Sequence, residues 1–134
     1  CFSGEYTLSQ LLHMQIGGGG LAGYLGTSDL QEVERRMNGG DSDAEFYYNG
    51  MIYQLAKDIG GMAAANSFNI DAIVLTGGMA YSQLLVKLLT EKIEKIAPVI
   101  VKAGSHEMQA LACGALSAFL GKEPIHLFSE NKTK

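Results

Sequence analysis

Residues Asp71–Ser82 read DAIVLTGGMAYS: four apolar residues run into Thr76, then two adjacent glycines, then residues able to start a helix. That order describes a strand that breaks at its carboxyl end into a turn without side chains. In open α/β sheets ligands bind beyond the carboxyl ends of the strands. Glycine there lets backbone approach a ligand with no Cβ in the way, and the N–H groups that open the next helix suit a phosphate. A tight turn that needs glycine for its shape alone has the same sequence, and spacing does not separate the two.

The other chemical patterns are weaker. Gly18, Gly20 and Gly23 fit GxGxxG, but a dinucleotide fingerprint needs a strand before it and a helix after it. A helical run comes first, so these glycines read as a helix stop and a loop. The sequence holds no GxxxxGK[ST], HExxH, GxSxG or paired CxxC, and His13, His106 and His126 have no ligand spacing. Cys113 lies in an apolar helical run and reads as a small buried hydrophobe. With only Cys1 besides it, no disulfide framework is implied, which fits a reducing, cytoplasmic location. Glu32, Glu34, Arg35 and Arg36 read as a solvated helix face.

The elements that must position the glycine turn follow from periodicity and caps. Thr7 to Ile16 reads as a short helix, with Thr7 and Gln10 at capping-box spacing. Leu21 to Leu25 is a short apolar run, a strand or a tight passage. Ser28 and Gln31 repeat the capping-box spacing ahead of a helix from Asp29 to about Met37, closed by Asn38, Gly39 and Gly40. Asp41 is placed to cap the longest helix, which runs to about Asn66. Its stripe is Ala44, Tyr48, Met51, Ile52, Leu55, Ile59, Met62 and Ala63. Asp71 to Leu75 lacks polar alternation and is expected to be buried on both faces. A helix from Tyr81 to about Ile96, a strand over Pro98 to Val101, and a helix from His106 to Leu120 capped by Ser105 complete the order. The tail from Glu123 is polar.

Strand, helix, strand, helix implies a parallel pair in a right-handed α/β unit covered by helices. Two strands are too few for a free-standing doubly wound sheet, and the first residue is Cys1 rather than Met. The expectation is one α/β domain, residues 1–134, that forms the C-terminal piece of a longer protein. The 134 residues are 47% hydrophobic and 18% charged with net charge −4, which fits a globular domain and excludes a disordered chain. No basic patch points to nucleic acid, and no run of about 18 apolar residues points to a membrane span.

Three blocks in this order resemble the nucleotide-binding part of the acetate and butyrate kinase family, within the sugar kinase, heat-shock chaperone and actin superfamily. They are GGLAGYLGTSDLQEVE (Gly19–Glu34), DAIVLTGGMAYS (Asp71–Ser82) and EMQALACGALSAF (Glu107–Phe119). The intervening helix AEFYYNGMIYQLAKDIGGMAA also matches, so the resemblance spans essentially the whole chain, and its wording lies nearer the butyrate members. It implies the C-terminal part of a ribonuclease H-like (actin-like ATPase) fold. It also implies reversible, ATP-dependent phosphorylation of a short-chain carboxylate, butanoate to butanoyl phosphate. By the same resemblance Gly77, Gly78 and Met79 would line the adenosine and α-phosphate of ATP or ADP. Ser82 stands where acetate kinases place an Asn that touches the nucleotide. Asp29, Leu30 and Gln31 stand where acetate kinases have Asp-Phe-Arg around the adenosine, with Gln31 supplying a neutral amide. Glu107 would help position Mg²⁺, although a first-turn acid favoured by the helix dipole reads the same way. The catalytic Arg and Asp have no counterpart here and are expected upstream of Cys1. The implied partners are ATP, the carboxylate, the N-terminal part of the same protein and a second copy in a homodimer or higher oligomer. A nucleotide-binding sensor or activator ATPase of the same superfamily, without acyl transfer, is the alternative.

Overall fold

The computed structural model describes residues 4–105 and 107–124. The order is α1 (Leu8–Gln15), α2 (Gly20–Leu25), α3 (Leu30–Asn38), α4 (Ser42–Ala65), β1 (Ile73–Gly77), a 3-10 turn (Gly78–Tyr81), α5 (Gln83–Ile93), β2 (Val99–Ala103) and α6 (Glu107–Phe119). Two compact units result, Cys1–Gly104 and Ser105–Lys134. The helix start expected at His106, His126 and the tail beyond residue 124 lie outside the described residues.

Local signals set most of the first unit. The α1 capping box forms in full: the Thr7 N–H donates to Gln10 Oε1 at 2.8 Å, and the Gln10 N–H donates to Thr7 Oγ1 at 3.3 Å. Nothing in α1 is buried, so its cap rather than packing holds it. The run Leu21–Leu25 is neither a strand nor an irregular passage but the body of α2, ended by Gly26 at φ 74°. Four apolar residues interrupted by Gly23 carry no usable period. The helix brings Leu21 and Leu25, at i and i+4, against the core.

Asp29, not Ser28, caps α3, accepting from the Gln31 N–H at 3.0 Å. Asp41 caps α4 as expected, accepting from the Asp43 and Ala44 N–H groups at 3.1 and 3.0 Å. The Ala44 amide and then the Arg36 guanidinium hold the Asp41 carboxyl below its usual range. Arg36 also donates to the Leu25 carbonyl at 3.0 Å, so one side chain joins the ends of α2, α3 and the cap of α4.

The core of this unit is Val33 from α3, Ala44, Tyr48 and Ile52 from α4, and Leu85, Leu89 and Ile93 from α5. Met62 falls off the expected stripe and is 71% exposed while Ala63 beside it is 1% exposed, because successive helical residues point about 100° apart and only one side of the last turn is covered. β1 and β2 pair in parallel, Ile73 opposite Val99 through Gly77 opposite Ala103. Ile73, Leu75 and Val99 back the helical core. Burial on both faces does not hold within the described residues, since Val74 is 55% exposed. The chain is therefore a mixed α/β structure with a two-stranded parallel sheet and helices.

The second unit is α6 and the residues after it. Cys113 is a free, exposed thiol in this unit, not the buried hydrophobe its apolar neighbours imply.

Candidate functional site

β1 does not run straight into a helix. Gly77 ends it at φ 81°, ψ −174°, a backbone region open in practice only to glycine. Its N–H and C=O are both spent on Gly104, at 3.2 and 3.0 Å. The 3-10 turn Gly78–Tyr81 follows, and α5 starts at Gln83 rather than Tyr81, with Ser82 as its cap. The expected α-helix N-terminus directly behind the glycines is thus displaced by one short turn.

That turn opens a cleft of about 190 Å³ against α3. Leu30, Gln31 and Glu34 form one wall; Gly78, Tyr81, Ser82 and Gln83 form the other. Four candidate residues from blocks far apart in sequence, Leu30, Gln31, Gly78 and Ser82, therefore meet in one place. Asp29 sits beside the cleft as the α3 cap, and Met79 is exposed on the turn without lining it. Gly77 shapes the turn through its backbone. Glu107 is exposed at the start of α6, in the second unit.

The floor of the cleft is a polar knot that the sequence did not reveal. Glu34 Oε1 accepts from Ser82 Oγ at 2.5 Å and from the Tyr48 hydroxyl at 2.8 Å. Ser82 Oγ also accepts from the Leu85 N–H at 2.9 Å, which fixes the first turn of α5. Tyr48 is fully buried. Burial, with the Glu34 carboxylate adding to it, pushes the phenol up to about 12, so it stays a donor at neutral pH. Within the run Glu32–Arg36, Arg35 is exposed and pairs with the half-buried Glu32. Glu34 and Arg36 turn inward to partners on other elements. A charge run read as one solvated face hides such partners, because they come from elements distant in sequence. The signal that could have found Glu34 is its i+1 place beside Val33, the most buried residue of α3.

A larger hollow of about 420 Å³ lies between α2 and α4, beneath the stacked rings of Tyr24 and Tyr47 at 4.3 Å. Its lining is almost wholly apolar, so it offers little chemistry; the smaller cleft is the one with convergent polar groups. No group of three His, Cys, Asp or Glu residues able to hold a metal ion occurs among the described residues.

Residues 5–113 match the model of the acetokinase family. The chain belongs to that family. Of its curated relatives, a probable butyrate kinase 2 from Caldanaerobacter subterraneus subsp. tengcongensis is 42% identical over 128 residues, 96% of this chain. The chain spans 36% of that relative's length. The acetokinase match covers the glycine turn, α3 and the Glu34–Tyr48–Ser82 knot alike. No helix among the described residues is long and apolar enough to cross a membrane.

Proposed function

We propose that this chain is the nucleotide-binding part of a butyrate kinase, which passes the γ-phosphoryl group of ATP to butanoate and forms butanoyl phosphate reversibly. The observation that carries this reading is the single cleft where Leu30 and Gln31 meet Gly78 and Ser82 beyond the end of β1. The 42% identity to a probable butyrate kinase supports the choice of carboxylate.

Phosphoryl transfer depends on positioning and on charge stabilisation. The chain supplies positioning. Gly78 presents backbone with open space where a Cβ would stand, and the amides of Gln31 and Gln83 can donate and accept toward a nucleoside. Charge stabilisation needs cations, and the two arginines of the chain, Arg35 and Arg36, are paired with Glu32 and Asp41. By the family resemblance a catalytic Arg and Asp are expected upstream of Cys1, and Glu107 is assigned a water-mediated contact to Mg²⁺ held with the phosphates. The reaction takes place in the cytoplasm, in a homodimer or higher oligomer.

The test is acyl phosphate formation by the full-length protein from butanoate, ATP and Mg²⁺, trapped with hydroxylamine. Hydroxamate should form with the full-length protein and stay at blank level with residues 1–134 alone. In the full-length protein Gly78→Leu should raise KM for ATP at least tenfold, about 1.4 kcal/mol, and leave KM for butanoate near its starting value. A folded Gly78→Leu protein with unchanged KM for ATP removes the glycine turn from the site.

A further inference from the structure

We infer that Glu34 reads the ribose of the nucleotide: its free carboxylate oxygen accepts from the vicinal hydroxyls and makes the cleft selective for a ribonucleotide. The inference rests on the nucleotide-site reading above and adds a residue and a specificity to it.

Three observations converge on Glu34. The first is position, since it lines the cleft between α3 and the glycine turn. The second is fixation. Oε1 is held by Ser82 Oγ at 2.5 Å and by the buried Tyr48 hydroxyl at 2.8 Å, two donors on two different helices. A carboxylate clamped this way has little rotamer freedom left to lose when a ligand arrives. The third is spare capacity. An ionised carboxylate has about four acceptor sites, and among the described residues Oε2 takes no hydrogen bond.

Charge and size then select the ligand moiety. No Lys or Arg among the described residues lines the cleft, so the carboxylate repels phosphate oxygens and favours neutral donors. The volume of about 190 Å³ is below the ~300–1,000 Å³ of sites that enclose a whole ligand, so one moiety fits. A hydroxyl both donates and accepts. It can therefore satisfy Glu34 and take a hydrogen bond from the Gln31 or Gln83 amide in the same cleft. An exocyclic amine only donates, so it could reach Glu34 or a Gln carbonyl but would accept nothing from the Gln N–H groups. The vicinal diol is the better match.

The experiment compares KM for ATP, 2′-deoxy-ATP and inosine triphosphate in the full-length protein and in its Glu34→Gln variant. The wild type should prefer ATP over 2′-deoxy-ATP by about tenfold or more, as for a lost hydrogen bond to a charged group. Glu34→Gln keeps an oxygen for Tyr48 and Ser82, so its melting temperature should hold. Its ATP to 2′-deoxy-ATP ratio should fall toward one because KM for ATP rises alone. A wild type indifferent to the 2′-hydroxyl overturns the inference however the variant folds. So does a variant that keeps the wild-type ratio, or one in which the ATP to inosine triphosphate ratio moves instead and assigns Glu34 to the base. If Gly78→Leu still weakens ATP in those cases, the nucleotide site stands and the role of Glu34 alone fails. If Gly78→Leu has no effect, the nucleotide reading itself fails.

Discussion

The two parallel strands end alike and then diverge. Gly77 closes β1 at φ 81°, Gly104 follows β2 at φ 96°, and the two glycines exchange backbone hydrogen bonds. Thr76 Oγ1 adds a third contact to the Gly104 carbonyl at 3.4 Å. At Gly104 the space beside the backbone is filled from within the chain: a methyl group there would lie 2.6 Å from the Tyr81 hydroxyl. At Gly77 and Gly78 a methyl group would meet nothing within 4 Å. Glycine thus serves three ends in a few ångströms. It supplies a backbone angle at Gly77, room for a neighbouring side chain at Gly104, and an open approach at Gly78, where the angle is ordinary. The last use is the one that points to a ligand.

The sharpest way to break this comparison is to add one methyl group at each adjacent glycine. Gly77→Ala forces a side chain into a region that costs about 1–3 kcal/mol. Gly78→Ala meets neither a positive φ nor a neighbour and should stay within about 0.5 kcal/mol of the parent. Urea unfolding of both variants checks this. Equal losses would mean that both glycines are there for turn shape, and the argument for an open approach at Gly78 would go.

The next largest effect tests the knot behind the turn. Tyr48→Phe removes a buried hydroxyl that donates to Glu34 and should cost about 1–2 kcal/mol near neutral pH. The pH dependence gives a second reading. The Tyr48 phenol is raised from 10.0 to about 12, so the folded protein keeps this proton after the unfolded chain has released it. Its contribution is present in full below pH 10 and is lost as pH rises through about 12. The stability gap between wild type and Tyr48→Phe should therefore close between those two values. A gap that stays constant to pH 12 would show that Tyr48 is not held protonated by its surroundings.

What the sequence made legible, and what it hid, divides along the same line between local and distant causes. The Thr7 box, the Asp41 cap, the length of α4 and the strand before the glycines all rest on neighbours within a few residues, and they were readable. The family blocks made Leu30, Gln31, Gly78 and Ser82 readable as a group, although their meeting in one cleft is a tertiary fact. Glu34 and Arg36 were not readable. Each looks like part of a charged helix face, and each is claimed by partners 5 to 48 residues away. The cap of α3 was displaced by one residue because Ser28 and Asp29 are both good caps. The choice fell to the one whose oxygen reaches the Gln31 amide. Cys113 shows the converse error: apolar neighbours along a helix say nothing about which side is covered.

The smallest expected effect carries the comparison to the helices that follow the two strands. α5 is capped by Ser82, whose hydroxyl belongs to the knot under the cleft. α6 begins at Glu107, an exposed acid in its first turn. As a first-turn acid alone, Glu107 contributes about 0.3–1 kcal/mol through the helix dipole. As a water-mediated Mg²⁺ contact it adds a charge that attracts the ion, and an amide of the same shape does not. Glu107→Gln in the full-length protein should therefore raise the Mg²⁺ concentration at half-maximal rate and lower the maximal rate, with stability falling by no more than the dipole contribution. One titration of activity against Mg²⁺ beside one melting curve separates the two roles. Earlier melting with the wild-type Mg²⁺ dependence would leave Glu107 as a helix-start residue, and the site would then consist of the β1 turn and α3 without any contribution from α6.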